Sequence, residues 1–168
     1  MDALPTTLLI ERPLIYASIY ELSTIVFGSE GLANLSTGDD KDEFDKLRIR
    51  HEVGQASKLL IEIAVVLRNF IDSGSWPMDP IHKIRVERRP ETNVGVVREE
   101  NKKEKTLSFR QVCNKIIHAE NISFGMKEIS GKMNCLDGSV ELHGRRNKDT
   151  WVADIQVADF IRMAVRQL

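Results

Sequence analysis

An apolar stripe along residues 39–72 constrains what this chain can fold into more than any other feature. Its members recur at steps of three and four residues, with one place skipped: Phe44, Leu47, Val53, Ala56, Leu60, Ile63, Leu67 and Phe70. This period places them on one side of a long helix, which must bury that side against another element. Carboxylates crowd the N-terminal end of the stretch and favour the positive end of the helix dipole. The spacing therefore predicts an amphipathic helix from about Asp39 to Asp72.

Two further segments have helical spacing. The stretch from Leu8 to Phe27 repeats apolar residues at steps of four, three and four, and the stretch near Val157–Gln167 closes the chain with a second amphipathic pattern. Between the first helix and the long helix, Gly28–Gly38 is rich in Gly, Ser, Thr and Asn, which predicts a loop.

A shorter helix is predicted from the residues of its N-terminal cap. Ser108 followed by Gln111 forms a capping box, and Leu107 and Val112 occupy the positions of a hydrophobic staple. These signals predict a helix from Phe109 to about Ala119. Its apolar face consists of Phe109, Val112, Cys113, Ile116, Ile117 and Ala119.

After Asn121 the pattern changes to alternation, which is typical of strands. Asp137-Gly138 is a hairpin signal between 133–136 and 140–142, Gly144–Thr150 is a polar turn, and Trp151–Gln156 is a further strand. Residues 88–106 have little periodicity and many charges, so we expect an exposed excursion there. The predicted fold is a single domain over 1–168, mainly α, with a small antiparallel sheet near 122–156 and a C-terminal helix.

The net charge of −1 hides an asymmetry between the two halves of the chain. The first 80 residues carry 7 basic and 13 acidic side chains, whereas the remaining residues carry 17 and 12. We therefore expect an acidic helical front and a basic second half that faces an anionic partner. The two cysteines suggest reduced thiols, and the longest apolar run spans only five residues. A cytoplasmic protein without a membrane segment is expected.

Three polar residues of the capped helix lie on one flank of its apolar face. At about 100° per residue, Arg110, Asn114 and His118 fall within a sector of roughly 80°. Arg110 lies in the first turn, where an anion is favoured, and a histidine near neutral pH can act as acid or base. The alternative is that His118 is a structural residue at the edge of the core, which is the commoner role of a helical histidine.

The run Val112-Cys113-Asn114-Lys115-Ile116-Ile117-His118 resembles the signature of HEPN domains, which are all-helical domains of bacterial toxins, phage-defence nucleases and RNA-processing proteins. Asn114 and His118 occupy the polar and histidine positions of the pattern, whereas Cys113 stands where the pattern has Arg. The resemblance implies a homodimer that cleaves RNA without a metal or cofactor, the 2′-hydroxyl attacking the neighbouring phosphorus. In that chemistry His118 is the acid or base, Asn114 orients it and Arg110 holds the phosphate.

Basic residues also gather into three patches that are candidates for phosphate contacts. The residues predicted to bind nucleic acid are Lys83, Arg85, Arg88, Arg89, Lys102, Lys103, Arg145 and Arg146. The alternative is that these side chains only solvate the surface, because acidic residues are interspersed among them. On the long helix, His51 is expected to lie on a solvated face, where charge pairs one turn apart such as Arg48–Glu52 are ordinary.

Two functions are consistent with these features. The first is an RNA-associated, HEPN-like protein of a toxin or defence system, and the sequence leaves open whether it cleaves RNA or only binds it. The second is a non-enzymatic immunity, antitoxin or scaffold protein that uses a helical face to bind a protein partner. The motifs of nucleotide-dependent enzymes and common hydrolases do not occur in the sequence.

Overall fold

The architecture was obtained from a computed structural model of the chain. It describes residues 12–36, 43–73, 93–100, 102–129, 133–147 and 149–168. The elements in chain order are α1 (Arg12–Leu35), α2 (Glu43–Ser73), β1 (Asn93–Glu99), β2 (Lys105–Ser108), α3 (Phe109–Ile117), β3 (Asn121–Ile129), β4 (Met133–Arg146), β5 (Asp149–Gln156) and α4 (Val157–Gln167).

The predicted fold class is wrong. The five strands form one antiparallel sheet in the order β2-β1-β5-β4-β3, so the described part of the chain is a mixed α/β fold rather than a mainly helical bundle. Strands β1 and β2 lie within residues 88–108, most of which was predicted to be an exposed excursion. Val94 and Val97 are buried there. A register shift near Gly95 disrupts the alternation of buried and exposed residues from which a strand would have been predicted.

The two long helices form where the periodicity predicted them, and the predicted first turns over Leu8–Glu11 and Asp39–Asp42 lie outside the described residues. Helix α2 begins at Glu43 and buries Leu60, Ile63 and Leu67. Helix α1 continues past Phe27 to Leu35, so the loop predicted from Gly28 is wrong over most of its length. Ser29 and Ala33 of the predicted loop are buried on the inward side of α1, and their packing outweighs the roughly 1 kcal/mol that each helical glycine costs.

The predicted hairpin at Asp137-Gly138 is also wrong. These residues lie inside β4, where Asp137, Gly138 and Ser139 together face Gly125 of β3 in a bulge. The Asp137 carboxylate accepts hydrogen bonds from the backbone N (2.7 Å) and the hydroxyl (2.6 Å) of Ser139. Gly138 has a φ of 88°, a conformation that glycine adopts without strain. The turn chemistry was correctly recognised, but it bends a strand instead of reversing it.

The β4–β5 connection is tighter than the polar turn predicted over Gly144–Thr150. Arg146 pairs with Asp149, so the β4–β5 ladder extends into the predicted turn, and Asn147 directly after β4 has a φ of 61°.

The helices cover one face of the sheet. In β5, Trp151, Ala153 and Ile155 are buried against the helical layer, whereas Val152 and Asp154 between them are more exposed. The core also contains Phe109 and Phe160, whose ring centroids lie 5.4 Å apart. None of the described helices is long and apolar enough to cross a membrane.

Candidate functional site

Helix α3 begins with the N-terminal capping box that was predicted from the sequence. The Ser108 hydroxyl accepts a hydrogen bond from the backbone N of Gln111 at 3.4 Å, and the Gln111 side chain accepts one from the backbone N of Ser108 at 2.8 Å. Leu107 and Val112 are both buried, as expected of a hydrophobic staple. The buried face consists of Phe109, Val112, Cys113 and Ile116. The predicted start of α3 and four of its six inward residues are therefore confirmed, whereas the helix ends at Ile117 and Ile117 and Ala119 are only partly buried.

The polar edge of α3 meets the end of α2. Arg110 donates from Nε to the Asp72 carboxylate at 3.0 Å, and Arg68 donates from Nε to the Asn114 amide oxygen at 2.6 Å. Arg68 and Asp72 also form an ion pair with each other. Burial lowers the pKa of the Arg68 guanidinium, and the nearby charge of Arg110 lowers it further. These four side chains, the α2–α3 network, link the two helices and carry a net charge of +1.

Arg68 and Asp72 were not predicted from the sequence. An Arg and an Asp one turn apart are an ordinary helical ion pair, and nothing local indicates that α3 lies beside them.

His118 stands at the end of α3 and is exposed. Its backbone N donates to the Asn114 carbonyl at 3.1 Å. Within the described ranges, no side-chain hydrogen bond joins its ring to Arg110 or Asn114. The structure thus brings two of the three predicted catalytic residues into one network and places the third a turn further along the helix.

Cys113, which replaces the Arg of the HEPN pattern, belongs to the core. Its side chain is fully buried, and burial raises the pKa of the thiol to about 12. It is therefore neutral and cannot act as a thiolate nucleophile at physiological pH. The guanidinium that hydrogen-bonds Asn114 comes instead from Arg68 on another helix.

A second cluster lies on the other side of α3, above Trp151. A Cβ on Gly144 would overlap the indole ring, so the absence of a side chain there makes room for Trp151. The Lys115 ammonium lies 3.8 Å from the centroid of the indole, a cation–π contact. Burial lowers the pKa of this ammonium, and the Arg146 charge lowers it further while Glu99 opposes both effects.

Trp151 forms part of a cleft of about 230 Å³. Its other lining residues are Glu99, Lys102, Arg146, Asn147, Asp149 and Thr150. Lys102 pairs with Glu99 at 2.7 Å and with Asp149 at 3.5 Å. The hydrogen bond to Glu99 raises the pKa of Lys102. Together with Lys115 these residues form what we call the cationic cleft, with three cations and two carboxylates.

The residues predicted to bind nucleic acid have different surroundings. Lys102 and Arg146, from separate patches of the sequence, both line the cationic cleft. Lys103 is exposed close by, and Arg145 pairs with Glu120 at 3.1 Å. Lys83, Arg85, Arg88 and Arg89 lie outside the described residues. Lys115 and Trp151 were not predicted as site residues, because Lys115 occupies a variable position of the HEPN-like run and Trp151 lies in a predicted strand outside any basic patch.

In the portion of the chain that the structure covers, no group of three His, Cys, Asp or Glu side chains is arranged to hold a metal ion.

The comparisons with known proteins add no relative. No family model, curated protein or solved structure matches this chain. The HEPN resemblance therefore stays a hypothesis that rests on Val112–His118, and the function has to be inferred from the two clusters around α3.

Proposed function

We propose that this protein binds RNA through the cationic cleft. One observation carries the proposal: Lys102, Lys115 and Arg146 come from three separate parts of the chain and converge around the same cleft. Phosphate groups are bound mainly by Lys and Arg side chains, whose counterions are released when the complex forms. Three cations against Glu99 and Asp149 leave one positive charge in excess.

The surroundings of the cleft favour a phosphate backbone over a stacked base. The Trp151 indole is buried, and the Lys115 ammonium already lies over its ring. A base would have to displace that ammonium in order to stack. Binding through phosphates carries little sequence preference, so we expect affinity to depend on salt more than on base composition.

A further hypothesis is that the protein also cleaves the bound RNA without a metal. It would use His118 as acid or base and the α2–α3 network to hold the phosphate. The arginines of that network are engaged by Asp72 and Asn114, so a phosphate would have to compete with Asp72 for Arg110. The geometry therefore favours binding over catalysis.

Binding is tested with a fluorescent 12-nucleotide single-stranded RNA, followed by anisotropy between 50 and 200 mM KCl. Arg146→Gln should weaken binding about 5- to 10-fold and make the salt slope less negative by about 0.7. The matched control is Arg50→Gln, which removes an exposed arginine from α2. Arg50 lies about 27 Å along this helix from Arg68, the residue of α2 that contacts α3. Equal losses in the two variants, or none in either, would contradict the proposal.

Cleavage is tested with the same RNA in EDTA, comparing wild type with His118→Ala. Loss of cleavage in the variant supports catalysis. Equal cleavage by both proteins, or none by either, excludes it and leaves the binding proposal intact.

A non-enzymatic interaction protein is the second candidate, and an exposed aromatic stripe on α1 favours it. Tyr16, Tyr20 and Phe27 are 44%, 76% and 53% exposed, and their spacing places them on one side of the helix. Aromatic residues are enriched at protein interfaces. Pull-down from the native host, with Tyr20→Ser beside wild type, tests this function: recovery of one protein without RNA, lost in the variant, supports it. RNA retention without a protein partner speaks against it.

A further inference from the structure

Glu99 occupies the centre of the charges in the cationic cleft. It ends β1 and lies opposite Trp151 in the β1–β5 pairing, so the strand ladder fixes its backbone. Its carboxylate accepts a hydrogen bond from Lys102 at 2.7 Å. Lys102 lowers the pKa of this carboxyl most, and the charges of Lys105 and Lys115 lower it further. The Glu99 carboxylate is thus in contact with Lys102 and within the electrostatic field of two further lysines.

The Glu99 carboxylate contacts Lys102 in the way that a bound phosphate would, because both groups are anions that accept hydrogen bonds from an ammonium. Glu99 and Asp149 lie close enough to Lys102 to engage two of its three N–H donors, so a phosphate that takes more than one hydrogen bond from this ammonium competes with these carboxylates. Asp149 is a weaker competitor, since it lies 3.5 Å from Lys102 and its side chain is 66% exposed, against 26% for Glu99. Glu99 is therefore the carboxylate that an incoming phosphate has to replace.

We infer that Glu99 is an internal competitor of the RNA phosphate, which holds Lys102 in the unbound protein and must release it when RNA enters the cationic cleft. The inference rests on the proposed function and adds a regulatory residue to it. Glu99 lowers the affinity for any anion at this position, so only a ligand that contacts several cations at once overcomes it. A polyanionic backbone meets that requirement, whereas a single small phosphate does not.

The test compares carboxylate-to-amide variants with the same 12-nucleotide RNA. Glu99→Gln should bind about 3- to 10-fold more tightly than wild type at 50 mM KCl, and the difference should shrink at 300 mM KCl because salt screens the competing charge. Glu100→Gln changes the net charge equally on the neighbouring exposed residue and should alter binding less than 2-fold. Glu99→Asp keeps the charge and should retain an affinity close to that of wild type.

The outcomes separate this inference from the proposed function. If Arg146→Gln weakens binding while Glu99→Gln leaves it unchanged or weaker, the inference fails and the function stands. If Arg146→Gln has no effect, either alone or combined with Glu99→Gln, RNA binds elsewhere and both fail. If Glu100→Gln tightens binding as much as Glu99→Gln, the gain is a general charge effect and the inference fails. Should Glu99→Gln not fold, an affinity of Glu99→Ser equal to that of wild type overturns the inference.

Discussion

Replacing Arg48 by Met should destabilise the fold more than any loss of a surface ion pair. The Arg48 side chain is only 6% exposed and lies between α2 and β4. It donates from Nε to Glu52 at 3.1 Å and from Nη1 to Asp45 at 3.1 Å, and its third nitrogen donates to the Asn134 carbonyl. Methionine fills much of the same volume but donates no hydrogen bond. The carboxylates of Glu52 and Asp45 and the carbonyl of Asn134 therefore lose the hydrogen bond from Arg48.

The cost follows from what is left behind. The second oxygen of Glu52 accepts from Ser29 at 2.8 Å, and Ser29 accepts from the backbone N of Leu136 at 3.1 Å. Without Arg48 this buried carboxylate has no ion pair with another described residue, and breaking one partner of a buried pair costs about 3–5 kcal/mol. A domain is stabilised by about 5–15 kcal/mol, so the variant should lose a large part of its stability.

The assay is urea unfolding at pH 7, followed by circular dichroism. Lys46→Ala is the control, because the Lys46–Glu43 pair is solvent-exposed and worth less than about 1 kcal/mol. The double variant Arg48→Met with Glu52→Leu should recover stability relative to Arg48→Met, since replacing both charges removes the unpaired carboxylate. A loss below about 1 kcal/mol for Arg48→Met would refute the argument that Glu52 depends on this cation.

Three further predictions concern stability. Gly144→Ala should cost about 1–3 kcal/mol in urea unfolding, because the new methyl group displaces the Trp151 indole; unchanged stability would contradict this packing. Gly138→Ala should cost about 1–2 kcal/mol because alanine is strained at a φ of 88°, and its Cβ would also lie 3.3 Å from Phe27; equal stability would mean that β4 has no such bulge. Between pH 9 and 11 the unfolded chain releases the Cys113 proton while the native state keeps it, so stability should fall with pH more steeply in wild type than in Cys113→Ala, by about 1.4 kcal/mol per pH unit. Parallel pH dependence of the two proteins would refute the burial argument.

The features that the sequence predicted correctly depend on residues close together in the chain. The capping box of α3 involves Ser108 and Gln111, three positions apart, and the inward face of the helix follows from its own period. The sheet was underestimated because its ladders join distant segments: β1 pairs with β5, more than fifty positions away. In strand β1 the valines are followed directly by Arg98 and Glu99, so the apolar part of the strand is short.

The candidate site shows the same limit. Asn114 was predicted, but its hydrogen-bond donor Arg68 lies 46 positions away, and only the packing of α2 on α3 brings the two together. Arg48 and Glu52 were expected to form a solvated helical pair, and the prediction was wrong because β4 covers them. Residue spacing shows which side chains share a helix face, but it does not show which element lies against that face.

Within the described residues, the basic second half of the chain does not present a uniformly positive surface. Many of its cations are matched by carboxylates of the folded chain, as in the pairs of Arg98 with Asp154 at 2.5 Å and Arg145 with Glu120 at 3.1 Å. Pairing of this kind leaves the excess positive charge unchanged, but each paired cation attracts a nearby anion less than an unpaired one would. An anionic partner therefore has to gain its affinity at a few positions where a cation can exchange an internal carboxylate for a phosphate. Lys102 is such a position, since Glu99 contacts it at 2.7 Å while the Lys102 side chain itself is 48% exposed to an incoming anion, and the exchange makes binding sensitive to salt and to the identity of residue 99.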